Sequence, residues 1–529
     1  MGSVGGCVGG RRGRPQRLRD DPTPIPARAI AVENRIGWLL ATTRILHPDD
    51  DLRQGDEFAA LLLGRGLHAD RSRISRWESG TAAAGREVID AYEALLDRPP
   101  GSVTAVADWL RRAFGESAPR SPLPARGSTG ETDRLLDVAL DAEELTGDQW
   151  QELAQRLTTY DSLFLRRDDW EVLTTRLVAE LGRATGTAYV RRFDAAAQLI
   201  RHPSSQRHVS RALGRYVMDP DTQVVLPVLR LLTEVHDTAA GTLVLRMMAG
   251  DSPRLREAAA SVAAFKLRQQ VLPEEGLHRL EQYAAAGLRV AEPLDGGLDA
   301  FDVAMQLPLP SFQRVLHQVP DRPLREQLGR SRSTGELVTP QQAATVVADL
   351  AAAVQADETG VRRHHEPDLM LRRLLRESLF HVHKPRRFHA ALLLAASPYR
   401  DPVSRQLQTV AGGSHAFLAA RAWTVLMRVG HGGRGADLLQ RATAETRPAL
   451  RARALVSLGL DDLELSPDQA RALVAPLSPK DRSSVRHGML FALGMGGSAL
   501  LGELGEHESG AVRRAARWWQ AQGAAIHEP

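Results

Sequence analysis

The sequence is poor in the residues that build disulfides and multi-cysteine metal sites. Cys7 is the single cysteine among 529 residues, which excludes an intramolecular disulfide and a zinc site made of several thiolates. The chain also contains no run of 18 or more apolar residues, and its glycine- and arginine-rich start lacks the apolar core of a signal peptide. We therefore expect a soluble, cytoplasmic protein with no membrane partner.

Lysine is nearly absent as well. Lys266, Lys384 and Lys480 are the only lysines, so arginine supplies almost all of the 68 basic residues. Such usage is typical of an arginine-, alanine- and glycine-rich proteome, as in actinobacteria, and a net charge of +4 over this length is close to balance. The basic isoelectric point is thus weak evidence for nucleic-acid binding. The length predicts about two to four folded domains.

Common enzyme motifs are missing too. The sequence has no phosphate-binding loop with its Lys-Ser/Thr, no Gly-x-Ser-x-Gly elbow and no His-Glu-x-x-His pair. Five histidines cluster along one stretch, at His364, His365, His381, His383 and His389. They could hold zinc, but residues two apart point to different sides of a helix, and basic neighbours repel a cation. We expect exposed histidines at helix ends, no metal or cofactor, and no enzymatic activity.

The most informative stretch is residues 69–80, which reads Ala-Asp-Arg-Ser-Arg-Ile-Ser-Arg-Trp-Glu-Ser-Gly. At about 100° per residue on a helix, Ile74 and Trp77 fall on one side. Arginine and serine occupy the opposite side and its shoulders, at Arg71, Ser72, Arg73, Ser75 and Arg76. Asp70 is placed to cap the N-terminus, and Gly80 to end the helix. The pattern predicts a helix with an apolar side toward its own domain and a hydrogen-bonding side toward solvent.

Residues 74–80, Ile-Ser-Arg-Trp-Glu-Ser-Gly, resemble the recognition helix of the XRE family of helix-turn-helix regulators, the Cro and lambda-repressor type. The resemblance implies a five-helix domain that binds double-stranded DNA. It also implies that arginine and serine contact base edges while a flanking arginine contacts phosphate. The base contacts would be Arg71, Ser72, Ser75 and Arg76, and the phosphate contact would be Arg73. The alternative that the residues leave open is an ordinary amphipathic helix with surface arginines.

The flanking sequence fits such a domain over residues 31–114. Apolar residues at helical spacing predict a first helix from Asn34 and a second from about Asp56. A fourth helix is predicted around residues 88–95, and a fifth from Ser102 to Phe114. The turn before the recognition helix is longer than that of the small phage repressors.

Residues 31–116 carry 11 arginines against 14 aspartates and glutamates, a net charge of about −3. Non-specific affinity for DNA grows with the number of phosphates neutralised, so we expect weak binding by a monomer and a need for dimerisation or another protein. The family resemblance also implies that Trp77 is a core anchor. It further implies that Glu78 holds the recognition helix by pairing with an arginine of the first helix, Arg44 or Arg35.

Composition divides the chain into four parts. Residues 1–30 predict a disordered basic arm, residues 31–114 the DNA-binding domain, and residues 115–134 a Pro-, Ser- and Gly-rich linker. Residues 135–529 hold alanine- and leucine-rich helical periods without a strand pattern. A Val/Leu-Arg-x-x-Ala-like template recurs there, starting at Leu418, Leu450, Val485 and Val512, 32, 35 and 27 residues apart. Paired helices at such spacing predict an α-solenoid that resembles HEAT repeats, and an all-α fold class.

These features predict a sequence-specific transcription regulator that resembles large actinobacterial members of the XRE family. The solenoid would mediate homodimerisation or bind RNA polymerase, another protein or an effector. Two alternatives stay open. One is a protein-interaction scaffold whose helix-turn-helix domain does not read sequence. The other is a HEAT-like nucleic-acid repair enzyme in which Trp518 and Trp519 stack a base.

Overall fold

The computed structural model describes residues 18–114, 129–141, 144–159, 165–290, 297–357, 366–475 and 483–528. Within these ranges the fold is helical throughout, with 29 α-helices, one short 3-10 helix and two isolated β-bridges. The prediction of an all-α fold is therefore confirmed for the described residues. None of the described helices combines the length and the apolar character needed to cross a bilayer.

Six helices form the first part of the fold, which we name the N-terminal bundle. They are α1 Val32–Ile45, α2 Asp50–Arg53, α3 Gly55–Gly64, α4 Arg71–Glu78, α5 Arg86–Leu95 and α6 Ser102–Phe114. The predicted fifth helix has the bounds of α6. The short helix α2 was not predicted, and it forms because the Asp49 side chain caps it by accepting a hydrogen bond from the backbone N–H of Asp51 at 2.9 Å.

The middle of the chain continues as helices joined by short loops. They are α7 Thr129–Leu140, α8 Gly147–Thr158, α9 Arg167–Arg183, α10 Gly186–Arg201, α11 Pro203–Met218, α12 Leu226–Leu229, the 3-10 helix Arg230–Glu234, α13 Thr238–Met248, α14 Pro253–Arg268, α15 Glu274–Val290, α16 Gly297–Gln306, α17 Leu309–Gln318 and α18 Arg322–Thr334. Proline opens several of these helices, where its missing N–H costs no hydrogen bond.

The C-terminal part consists of eleven described helices. They are α19 Pro340–Ala356, α20 Leu369–Phe380, α21 Lys384–Ala396, α22 Arg400–Ala411, α23 Ala416–Val429, α24 Gly435–Ala444, α25 Pro448–Gly459, α26 Pro467–Val474, α27 Ser483–Met495, α28 Leu500–Leu504 and α29 Gly510–Gln522. Helices α21, α23, α25, α27 and α29 pack against one another in chain order, and each also packs against the helix before it. The four copies of the repeated template lie on α23, α25, α27 and α29.

Small residues in the repeated template let these helices approach closely. At Gly488, on α27, a Cβ atom would lie 2.9 Å from the carbonyl oxygen of Ala452 on α25. Such contacts between backbones bury apolar surface only when neighbouring helices are present. The repeated template therefore marks α23, α25, α27 and α29, which pack against one another in chain order.

The C-terminal end of the chain returns to the start of the helical region. The backbone N–H of Ile526 donates to the carbonyl of Arg183, and that of Thr185 donates to the carbonyl of Ile526, both at 3.1 Å. The Glu528 carboxylate accepts hydrogen bonds from Arg192 at 2.5 Å and from the backbone N–H of Gly147 at 2.7 Å. The row of helices thus closes on itself, with its end attached to α8, α9 and α10.

Part of the predicted disordered arm, residues 18–30, is instead packed against the fold. The Asp21 carboxylate is buried and accepts a hydrogen bond from Arg35 Nε at 2.7 Å. The carbonyl of Ile25 accepts one from Arg386 at 3.3 Å. The arm has too little apolar surface of its own to offset the entropy that it loses on ordering. The contacts with distant helices offset that loss.

The N-terminal bundle shares one apolar core with helices α19–α29. Trp38 on α1 is completely buried, its Nε1 donates to the Asp368 carboxylate at 3.0 Å, and its ring stacks on Tyr399 at 6.3 Å between centroids. Helix α7 begins at Thr129, so residues 129–134 of the predicted linker are helical. The rest of that linker, and residues 1–17 of the predicted arm, lie outside the described residues.

Candidate nucleic-acid interface

Helix α4 is anchored by its apolar side and capped at both ends. Ile74 and Trp77 are 1% and 5% exposed. Asp70 Oδ1 accepts a hydrogen bond from the backbone N–H three residues further on, at 2.6 Å. Gly80 follows the helix with φ +69°, a left-handed conformation that favours glycine, and a Cβ there would lie 2.6 Å from Asn34 Cα. The end of α4 is therefore held against the start of α1.

The five residues predicted to contact DNA all lie on the exposed surface of α4. They are Arg71, Ser72, Arg73, Ser75 and Arg76. Among the described residues, the side chains of Ser72, Ser75 and Arg76 have no hydrogen-bond or ion-pair partner. Their donors are thus available to an external ligand.

Arg71 and Arg73 make weak contacts along the shoulders of the helix. Arg71 Nη1 lies 3.8 Å from Asp56 Oδ2, and both side chains are largely exposed. Arg73 Nη1 donates to the carbonyl of His68 at 3.0 Å, while its guanidinium lies 5.3 Å from the centroid of the Trp77 ring. Exposed contacts of these kinds contribute about 1 kcal/mol or less each, so a stronger anionic partner can replace them.

A buried ion pair fixes the orientation of α4. Both oxygens of Glu78 accept hydrogen bonds from Arg44, at 2.6 and 2.8 Å, and the Tyr92 hydroxyl donates to Glu78 at 3.1 Å. Burial and the charge of Glu78 raise the pKa of Tyr92 well above its ordinary value. Of the two arginines considered for Glu78, Arg44 is therefore its partner. Helices α1 and α4 also approach closely, since a Cβ at Gly37 on α1 would lie 2.6 Å from the carbonyl oxygen of Trp77.

Arg35 has a different partner, which no local pattern reveals. Its two terminal nitrogens donate to both oxygens of Glu377, at 2.8 and 2.7 Å, across a separation of 342 residues. Arg386 donates to the same carboxylate. Burial opposes ionisation of Glu377, but Arg35 and Arg386 outweigh it and lower its pKa to about 2. Helix α1 is thus attached to α4 on one side and to α20 and α21 on the other.

Negative charge surrounds α4 on the neighbouring helices. Exposed carboxylates occur on α2 and α3, at Asp50, Asp51, Asp56 and Glu57. Arg53 on α2 and the exposed Arg65 after α3 are the basic residues of this neighbouring segment. The carboxylates outnumber them, which limits the number of phosphates that one bundle can neutralise.

The histidine cluster is buried where the structure describes it, which corrects the expectation of exposed side chains. His381 Nε2 contacts the carbonyl oxygen of Ile25 at 2.9 Å. Burial lowers the pKa of His381 and His389 to about 3 and that of His383 to about 2, so all three are neutral near pH 7. His364 and His365 lie outside the described residues. In the part of the chain that the structure describes, no group of three or more His, Cys, Asp or Glu side chains is arranged to hold a metal ion.

The two tryptophans considered for base stacking are packed inside the fold. Trp518 is 7% exposed and Trp519 is 1% exposed. The ring of Trp518 contacts Tyr216 at 6.2 Å, and that of Trp519 contacts Phe491 at 5.8 Å. Neither ring offers a free face to a nucleic-acid base. The pair instead packs the last helix against α11 and α27.

The chain matches no protein-family model and no curated protein sequence. Function is therefore inferred from the chemistry of α4 and of the helices around it.

Proposed function

We propose that the chain is a sequence-specific DNA-binding transcription regulator, with α3 and α4 as its helix-turn-helix and α7–α29 as a HEAT-like α-solenoid. The observation that carries the proposal is the exposed face of α4. Ser72, Ser75 and Arg76 there have no partner among the described residues, while the opposite face is buried. The major groove of DNA, about 12 Å wide, admits an α-helix, so these donors would meet base edges.

The residues of α4 would have different roles in DNA binding, according to their position on the helix. Arg76, on the outer face, has the planar pair of donors that matches the O6 and N7 acceptors of guanine. Ser72 and Ser75 would donate to or accept from neighbouring bases. Arg71 and Arg73, on the shoulders, would exchange their weak surface contacts for phosphate oxygens. The buried Arg44 and Glu78 pair would keep the helix from shifting when it binds.

The net negative charge of the N-terminal bundle, about −3 over residues 31–116, argues that one copy binds DNA weakly. A homodimer would double the phosphate contacts and read two half-sites about 34 Å apart along the duplex. The solenoid would then supply the dimer contact, or bind RNA polymerase, another protein or an effector. A protein-interaction scaffold is the second candidate, and the exposed carboxylates on α2 and α3 favour it, since they repel DNA.

Selection from random double-stranded oligonucleotides tests the proposal. The full-length chain should enrich a shared motif at low salt, and Ser75→Glu with Arg76→Glu should abolish that enrichment by placing two carboxylates against the bases. The matched control is Arg330→Glu with Ser333→Glu, two exposed residues of α18, which makes the same change in net charge. If no motif is enriched, or if both double variants behave alike, the scaffold becomes the better explanation.

A single substitution then tests the assigned role of Arg76. Arg76→Ala should relax discrimination at one base pair by about 1 to 3 kcal/mol and leave the other positions unchanged. Binding curves with an operator panel, substituted one base pair at a time, measure this directly. Equal losses across the whole panel would instead make Arg76 a phosphate contact.

A further inference from the structure

Two arginines from different helices lie over the same aromatic ring. Arg230, at the start of the 3-10 helix, and Arg428, on α23, place their guanidinium carbons 4.2 and 5.1 Å from the centroid of the Phe388 ring. Phe388 is 9% exposed, and Trp109 from α6 lies 5.4 Å from it. Two cations and an element of the N-terminal bundle therefore converge at a single point.

No carboxylate balances these two cations in the described part of the chain. Neither guanidinium has a hydrogen bond or an ion pair there. Burial and the neighbouring Arg230 lower the pKa of Arg428 to about 10, and the phenol of Tyr189 is the other titratable group that acts on it. Two like charges that act on each other repel. An anion bound by both arginines would relieve this repulsion.

Arg428 is open to such an anion, because it is exposed to water. Both guanidiniums lie over the Phe388 ring, and their N–H groups donate to no group of the described residues.

A neutral histidine lies beside the two arginines and adds no third positive charge. The His389 ring lies 5.5 Å from Phe388. Burial, together with the charge of Arg230, lowers the pKa of His389 to about 3, so its ring is neutral near pH 7. His389 is 3% exposed; its Nδ1–H donates to the carbonyl of Pro385, so its Nε2, which has no hydrogen-bond partner among the described residues, is an acceptor. An oxyanion would therefore be held by the arginines and not by His389.

We propose that Arg230 and Arg428 together bind a small oxyanion beside the Phe388 ring. Phosphate and carboxylate groups share the required chemistry, since either accepts two parallel hydrogen bonds from a guanidinium. The ring face of Phe388 is covered by the arginines, so charge and hydrogen bonds select the ligand rather than stacking. The proposal does not depend on DNA binding.

Thermal unfolding of the full-length protein at constant ionic strength tests the site, with inorganic phosphate or citrate replacing chloride. We expect one or both ions to raise the melting temperature, because a ligand that binds only the folded state stabilises it. Arg230→Gln and Arg428→Gln should each weaken the binding of that ion about 10-fold or more. Arg330→Gln on the exposed surface of α18 is the control and should respond as the parent does.

The melting temperature in chloride separates ligand binding from a packing role. If the arginines hold an anion, Arg428→Gln removes one of two adjacent cations and should keep or raise that temperature. Stabilisation by phosphate alone, or by citrate alone, supports the site and identifies the preferred group. The proposal is overturned if neither ion stabilises the parent, or if the parent and both glutamine variants respond equally. Should one variant fail to fold, the parent and the other variant still decide.

Discussion

Glu377 joins the N-terminal bundle to α20 and α21, and removing its charge should loosen that junction. Glu377 is 1% exposed, and its carboxylate accepts hydrogen bonds from Arg35 and Arg386. Glu377→Gln keeps the size and planarity of the group but leaves the two guanidiniums without their shared anion. Because Arg35 belongs to α1, the substitution should lower the local stability of α1, the helix that packs against α4.

Two arguments give the same magnitude. The pKa of Glu377 is lowered from 4.5 to about 2, and at about 1.4 kcal/mol per pKa unit the fold favours the ionised form by about 3.5 kcal/mol. Removing one partner of a buried ion pair costs about 3 to 5 kcal/mol in general. Asp21 remains as an acceptor for Arg35, so the expected loss is at the lower end, about 3 kcal/mol.

Hydrogen exchange resolved by peptide measures this loss where it should occur. Exchange in α1 and α20 should become about 100-fold faster, which corresponds to a fall of about 3 kcal/mol in the free energy of local opening. Peptides from α27, which is remote from the junction in the row of helices, should keep their rates.

The control is Glu326→Gln on α18. Glu326 pairs with Arg322 at 2.8 Å, but both side chains are more than half exposed, so its loss should cost about 0.5 kcal/mol or less. The reasoning is refuted if Glu377→Gln changes exchange in α1 and α20 by less than about threefold, or no more than the control does.

Two further predictions concern glycine packing and pH. Gly37→Ala should lower the melting temperature and push α4 away from α1, because its Cβ would lie 2.6 Å from a carbonyl oxygen of α4. The control is Gly64→Ala, where a Cβ would have nothing within 4 Å. It should be neutral or stabilising by about 1 kcal/mol. Burial lowers the pKa of His381, His389 and His431 to about 3, 3 and 4, while the unfolded chain takes up these protons near pH 6.5. Their contribution to stability is present above pH 6.5 and falls by about 1.4 kcal/mol each at pH 5.5. His431→Gln should therefore flatten the dependence of melting temperature on pH between 7 and 5. An unchanged slope would contradict the lowered pKa of His431.

The structure agrees most closely with the sequence where the signal is local. Helix α4 was predicted with its cap at Asp70, its end at Gly80 and its apolar side at Ile74 and Trp77, because each of these depends on residues within one or two helical turns. The exposure of its arginines and serines follows from the same periodicity. The DNA contacts assigned to them stay a prediction.

Expectations that depended on distant contacts were less successful. Residues 18–30 have the composition of a disordered arm, yet Asp21 and Ile25 contact Arg35 and Arg386. The histidines from His381 onward were expected at exposed helix ends and are buried. In both cases the outcome depended on which distant helix packs against these residues, and composition does not predict that.

By itself the sequence determined that this protein is helical, where many of its helices lie, and which side of α4 faces outward, because helical periodicity, caps and breaks act over a few residues. Only the tertiary structure decided that Arg44 rather than Arg35 pairs with Glu78, and that the bundle shares a core with α19–α29. It alone also brought Arg230 and Arg428 to one ring. A buried charge needs a partner, and tertiary packing can supply that partner from a helix hundreds of residues away in the sequence.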